Sequence, residues 1–178
     1  MATIVVGVTG SIAAYKSCEL VRILVKAGHD VKVVMTVAAT KFVAPLTFQT
    51  LSRNPVFIDQ FELPSEWKPE HISLADDADL LVIAPCTANV MARMTYGFAD
   101  DLLTATALAT RAPIVLAPAM NTGMWDNVAT QANVKTLISR GVLFVDSESG
   151  ELACGDYGKG RMAEPEAIAR VVEQIVSL

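Results

Sequence analysis

Two histidines, three cysteines and a few short polar clusters are the residues of this chain best suited to chemistry. An imidazole titrates near neutrality, with an ordinary pKa of ~6.5. His71 lies in a Pro-rich stretch, away from any expected core face, and is a candidate for proton exchange; a surface or helix-capping role is the alternative. His29 follows Gly28 at an expected helix end and needs only a solvated cap. Cys18, Cys86 and Cys154 are odd in number, widely spaced and never CxxC. That pattern fits free thiols in a reducing cytoplasm, with neither a disulfide frame nor a metal site. Cys18 falls on an apolar helix stripe, and Cys86 suits packing beside a ligand. Cys154 sits in a Gly-rich segment with Lys159 and Arg161. Those two cations suit an anionic group or, equally, a solvated loop.

The polar clusters need elements to place them. Residues 3–8 form a β-branched run ending near Gly10, and Ser11 stands where a helix N-cap would, before the apolar spacing of Ala14, Cys18, Val21 and Val25. Gly28 closes that helix. Strands are expected at residues 30–35, 78–84, 113–117 and 142–145, with a short one at 55–59. Helices are expected at 100–111, 126–140 and 165–178, with one or two short helices over 38–52 broken by Pro45. Asp100 and Asp101 suit the N-terminus of the first of these electrostatically. Residues 53–70 read as an irregular excursion and 147–163 as a Gly-rich loop.

Apolar strands alternating with helices predict a parallel sheet covered on both faces: a single α/β domain over residues 1–178, Rossmann-like, doubly wound and three-layered. Composition agrees. The chain of 178 residues is 52% hydrophobic and 19% charged, which excludes disorder and leaves apolar surface for an oligomer to cover. With 14 Lys+Arg against 19 Asp+Glu, the net charge is −5. There is no basic run for nucleic acid or for a membrane surface. The longest apolar runs fall far short of a ~20-residue membrane span, and no signal peptide is expected.

In such folds ligands sit at the carboxyl ends of the strands. The segments to read are therefore Gly10-Ser11-Ile12, Thr36, Pro85-Cys86-Thr87-Ala88-Asn89 and Pro118-Ala119-Met120-Asn121. Gly10 and Ser11 at a helix N-terminus suit phosphate and also suit a plain tight turn. The second strand ends Val33-Val34-Met35-Thr36, without the acid that holds a dinucleotide's ribose. A mononucleotide is favoured. Thr36 offers a hydroxyl to phosphate, to a ring edge or to backbone. The small residues of 85–89 suit phosphate or ribityl oxygens, or a cap and turn.

The segment Pro118-Ala119-Met120-Asn121-Thr122-Gly123-Met124-Trp125 fits P-x-M-N-x-x-M-W and resembles the signature of the homo-oligomeric flavin-containing cysteine decarboxylases. Residues 85–89 resemble that family's variable small-residue stretch. Ala153-Cys154-Gly155-Asp156-Tyr157-Gly158-Lys159-Gly160-Arg161-Met162 resembles the substrate clamp of its phosphopantothenoylcysteine decarboxylase branch, and His71-Ile72 stands where that branch has its histidine. The resemblance covers essentially the whole chain.

It implies FMN bound between the subunits of a trimer, sometimes built into a dodecamer. It implies decarboxylation of 4'-phosphopantothenoylcysteine to 4'-phosphopantetheine in coenzyme A biosynthesis, often in a chain fused to the phosphopantothenate–cysteine ligase. The implied route is oxidation to a thioaldehyde, loss of CO₂ and re-reduction of the enethiolate. His71, Asn121 and Cys154 are the implied catalytic residues: Asn121 grips the departing carboxylate, and Cys154 gives the last proton. Gly10, Ser11, Ile12, Thr36, Cys86, Thr87, Ala88, Asn89 and Ala119 are expected to hold FMN. Asn121, Met124, Lys159, Arg161 and Met162 are expected at the substrate, although a place in the core is the commoner role for residues such as Met124 and Trp125. The rival readings are a peptidyl-cysteine decarboxylase, a flavin prenyltransferase, an FMN-binding regulatory subunit and a flavodoxin-like electron carrier.

Overall fold

The computed structural model describes residues 1–62, 67–145, 148–151 and 157–177. Its strands are β1 (Thr3–Val8), β2 (Asp30–Met35), β3 (Val56–Phe57), β4 (Leu80–Cys86), β5 (Ile114–Pro118), β6 (Leu143–Phe144), β7 (Glu148–Glu151) and β8 (Tyr157–Arg161). Its α-helices are α1 (Ala14–Lys26), α2 (Pro45–Ser52), α3 (Glu70–Asp77), α4 (Ala88–Tyr96), α5 (Leu102–Ala109), α6 (Thr122–Trp125), α7 (Val128–Ser139) and α8 (Pro165–Val176), with a 3₁₀ turn at Ala39–Lys41.

The first six strands form one parallel sheet in the order β3-β2-β1-β4-β5-β6. Alternate strand residues feed two cores, as the two-residue strand period requires. Ile4, Val6, Val33, Val82 and Ala117 face α1, α2 and α8. Val5, Val34, Leu81, Ile83 and Leu116 face α3, α4, α5 and α7. The result is the three-layered, doubly wound fold that the alternation of strands and helices predicts. A Cβ on Gly7 would lie 2.6 Å from Leu103 Cδ1, so its absence lets α5 settle onto β1.

Four local expectations need correction. Ser11 is not the N-cap of α1; Ala13 is, without a side-chain cap bond, because the chain makes one further turn first. The fourth strand starts and ends two residues later than expected, so Pro85 and Cys86 belong to it, and Cys86 pairs with Pro118 after a register shift; the Ala84–Pro85 peptide is cis. Helices α3, α4 and the four-residue α6 were not expected. Helix α3 is short and polar, following Pro69; α4 is capped by Thr87, whose side chain accepts from Val90 N, and closed by left-handed Gly97. Finally, the Gly-rich segment contains an antiparallel hairpin of β7 and β8. Backbone pairing alone suffices for such a ladder, so poor strand-forming side chains do not forbid it.

Candidate functional site

The β1–α1 turn and the end of β4 meet where the sheet reverses direction, and Thr9 joins them. This fully buried threonine donates from Oγ1 to Pro85 O (2.6 Å) and accepts there from Thr87 N (3.1 Å). Ser17 adds a second tie, donating from Oγ to Ala84 O at 2.6 Å. These two hydroxyls fix the strand end on which α4 begins. Sequence reasoning passed over both. Thr9, a β-branched residue just before Gly10, was the only available hint.

A cavity of about 540 Å³ opens over this junction. Gly10 and Ser11 line it from the segment after β1, Thr36, Val37 and Ala38 from the segment after β2, Thr87, Ala88, Asn89 and Val90 from the start of α4, and Ala119, Met120 and Met124 from the segment that follows β5. Its walls are close to one another: a Cβ on Gly10 would lie 2.6 Å from Ala38 Cβ. Only glycine permits that approach, so the loops after β1 and β2 share one wall. Ser11 Oγ accepts from Ala13 N at 3.3 Å, and Thr36 Oγ1 accepts from Ala39 N at 3.2 Å. Both hydroxyls thus brace their own turns while facing the cavity. Ala88, Asn89 and Val90 of the first turn of α4 line the same space, and a helix N-terminus favours an anion.

Arg93 and Asp101 complete the wall and were not foreseen there. Arg93 pairs with both Asp100 and Asp101, and Asp101 also caps α5 in a reciprocal box with Thr104. Asp101 therefore serves the helix start, as expected, and the two carboxylates together hold a cavity-lining guanidinium.

At the far side Ala119 N donates to Cys86 O at 3.0 Å. Asn121 follows as the N-cap of α6, its Oδ1 accepting from Gly123 N at 2.8 Å. Met120 before it and Met124 after it are on the wall, whereas Asn121 itself is not among the lining residues. Strand β8 runs beside this turn: Met120 N donates to Gly160 O (2.9 Å), and Thr122 Oγ1 donates to Lys159 O (2.8 Å).

The remaining candidates fall elsewhere. Cys86 is fully buried in the core under α4 and α5, where burial pushes its thiol up to about 12. Burial also raises the thiol of Cys18. Met162 is 1% exposed in the core beneath α1 and α8. Ile12 projects outward at 57% exposure, beside Ser11 but off the wall. Lys159 is exposed, and Arg161 donates to Glu164 Oε1 at 2.8 Å. His71 is the second residue of α3, not part of an irregular loop, and its Nδ1 is buried with no hydrogen-bond partner among the described residues. Helix α3 runs back against the strands, so its first turn lies at their carboxyl edge, yet His71 is not on the cavity wall. Cys154 lies outside the described residues.

No described helix is long and apolar enough to cross a membrane.

Comparison with known proteins adds the following. The family described as Flavoprotein matches residues 1–177. The chain is 50% identical over 174 residues to the Coenzyme A biosynthesis bifunctional protein CoaBC of Haemophilus influenzae, covering 98% of this chain and 44% of that protein. It is 48% identical over 167 residues to the same protein of Bacillus subtilis, covering 94% and 41%. The chain thus spans less than half the length of these curated relatives. Among solved structures it is similar to a cysteine-to-serine mutant of PPC decarboxylase complexed with pantothenoylaminoethenethiol, at TM-score 0.90 and 31% identity over 99% of both chains. It is also similar to the FMN binding protein AtHal3, at TM-score 0.85 and 31% identity over 97% of this chain and 95% of that one.

Proposed function

The chain belongs to the Flavoprotein family, and from that premise we propose that it decarboxylates 4'-phosphopantothenoylcysteine to 4'-phosphopantetheine with FMN as its cofactor. One observation carries the reading: the cavity at the sheet's reversal point is bounded by the Asn121 turn, in a chain that overlays a PPC decarboxylase end to end.

The residues present fit FMN. A cavity of about 540 Å³ lies within the roughly 300–1,000 Å³ range of small-molecule sites. Its narrowest wall depends on Gly10 having no Cβ. Ser11, Thr36, Thr87 and the first turn of α4 would hold phosphate and ribityl oxygens, and Ala38, Ala88, Ala119 and Met120 leave a small, largely apolar bed for a flat ring. When bound, FMN supplies the two-electron acceptor and donor that lets an unactivated cysteinyl carboxylate leave.

The chain's own groups do the rest. Asn121, its Oδ1 fixed on Gly123 N, offers a neutral amide to the carboxylate, without an ion pair that would stabilise the ground state. Cys154 is the proposed proton donor that completes the saturated thiol, and His71 the proposed proton exchanger. Lys159 and Arg161 belong to the strand that flanks the Asn121 turn and are proposed to meet the substrate phosphate.

A homo-oligomer is part of the same proposal, with a trimer as its unit and a dodecamer as the larger form. Ile12, Tyr15, Val37, Phe42 and Leu46 are all at least 49% exposed, and they belong to the segments that build or adjoin the β1 and β2 walls. A second copy seated there would cover this apolar surface and bring its own residues, His71 among them, toward the cavity. Residues 1–178 are read as the decarboxylase domain, a phosphopantothenate–cysteine ligase as its partner, and the cytoplasm as its setting.

The visible spectrum of purified protein, followed by product mass from phosphopantothenoylcysteine, tests the function. A yellow protein releasing CO₂ and phosphopantetheine is expected. Colourless protein that still forms the product, or flavin-loaded protein inert toward it, would overturn the reading.

A further inference from the structure

Asn121 is bracketed. The residue before it, Met120, donates its backbone N–H to Gly160 O at 2.9 Å, and the residue after it, Thr122, donates its hydroxyl to Lys159 O at 2.8 Å. Both acceptors are consecutive carbonyls of β8. The approach is close enough that a Cβ on Gly160 would lie 2.3 Å from Met120 O, and Gly160 itself has φ +119. A side chain is therefore excluded twice, once by backbone conformation and once by contact with another backbone. Both bonds tie residues about 40 apart in sequence, one of them from a side chain. Within the Pro118–Trp125 segment, Thr122 falls at a position that the P-x-M-N-x-x-M-W pattern leaves open.

We propose that Thr122 and Gly160 form a clip that sets the position of Asn121, and that both are positioning residues for the decarboxylation. The proposal rests on the function assigned to Asn121 above. Its physical content is separate: the turn that carries the amide is registered by β8 and not by its own helix, because α6 has only four residues. A single turn of helix leaves too few internal bonds to hold its cap in place. The Oδ1 bond to Gly123 N orients the amide relative to α6. The two bonds to β8 orient α6 and Met120 relative to the sheet. Placement errors of about 1 Å at a reacting centre cost roughly 100-fold in rate, so losing the clip is expected to appear in kcat.

The test uses the flavin-loaded oligomer. Thr122→Val keeps shape and removes the donor; Thr122→Ser restores it; Gly160→Ala opens the close approach. Expected outcomes are a kcat lowered about 10-fold in T122V and about 100-fold in G160A, KM changed less than about threefold, flavin content unchanged, and kcat recovered in T122S. Independently of turnover, the Met120 amide should exchange with solvent faster in T122V and G160A than in the unaltered protein. Unchanged kcat in T122V, or a loss that T122S does not recover, overturns the clip. So does Met120 protection that survives both substitutions. If the unaltered protein proves inert toward phosphopantothenoylcysteine, the functional reading falls, and amide exchange alone decides whether the clip exists.

Discussion

Among the single residues, Asn121 grips the carboxylate in the proposed chemistry, and the structure places it at the N-cap of α6. It was singled out for its type and its neighbours in Pro118–Trp125, and it stands between two cavity-lining methionines. Asn121→Asp is expected to abolish turnover while flavin remains bound, because a carboxylate there repels the substrate's own. Steady-state rates with the flavin absorbance measured on the same sample check this; normal activity would remove Asn121 from the mechanism. Cys154→Ser is expected to keep flavin and CO₂ release but to accumulate the enethiol product, since only the last protonation is lost. Mass spectrometry showing full conversion to the saturated thiol would contradict it. His71 is a different case. Its type pointed to proton exchange, but only the fold shows it on a helix, with Nδ1 buried and unpartnered among the described residues.

Between elements, the ties that matter are side chains crossing long sequence separations. Thr9 is fully buried and serves two backbone groups of the β4 end. Thr9→Val strands both, and an unsatisfied buried polar group costs about 1–3 kcal/mol. A lower Tm together with weaker flavin retention is expected, because the same strand end starts the α4 wall. Loss of stability with flavin affinity intact would show that the tie does not shape the cavity.

Glu164 makes the second such tie. Its Oε1 accepts from Lys16 of α1 (2.7 Å) and from Arg161 of β8 (2.8 Å). The bond from Lys16 is the main cause holding its carboxyl below the usual 4.5, with partial burial opposing. A carboxylate with a depressed folded pKa stabilises the fold above its unfolded value and loses that contribution as pH falls through the folded one. Glu164→Gln should therefore lower Tm at neutral pH, and the gap from the unaltered protein should close as pH drops below about 4.5. With the side chain 40% exposed, the effect is about 0.5–1 kcal/mol. A gap that persists unchanged in acid would contradict the assignment.

At the scale of the whole molecule, the proposed oligomer would cover exposed apolar residues in the segments that follow β1 and β2. Tyr15, Val37 and Leu46 are 61%, 66% and 69% exposed on one chain, and apolar surface of this kind marks interaction sites where it is contiguous. A solution mass of about three times the 19.0 kDa chain, or a multiple of that, is expected by light scattering. Leu46→Glu is expected to shift the mass toward a single chain and to lower flavin occupancy. A monomer that binds flavin fully would separate the cavity from assembly.

The sequence alone determined the architecture, because a buried parallel sheet imposes apolar runs and the intervening helices impose their own period. It also determined which polar clusters lie at the strand ends, since those positions follow from element order. The short elements were not legible. Helix α3 is polar, α4 begins on a cap that reads equally as a turn, and the hairpin of β7 and β8 is held by main-chain pairing that leaves no trace in side-chain pattern. Only the tertiary structure decided that Arg93 joins the wall, that Cys86 and Met162 sink into the core, and that β8 lies against the Asn121 turn. Each of these is a contact between residues distant in the chain. Such contacts are set by how layers pack, and no local periodicity encodes them.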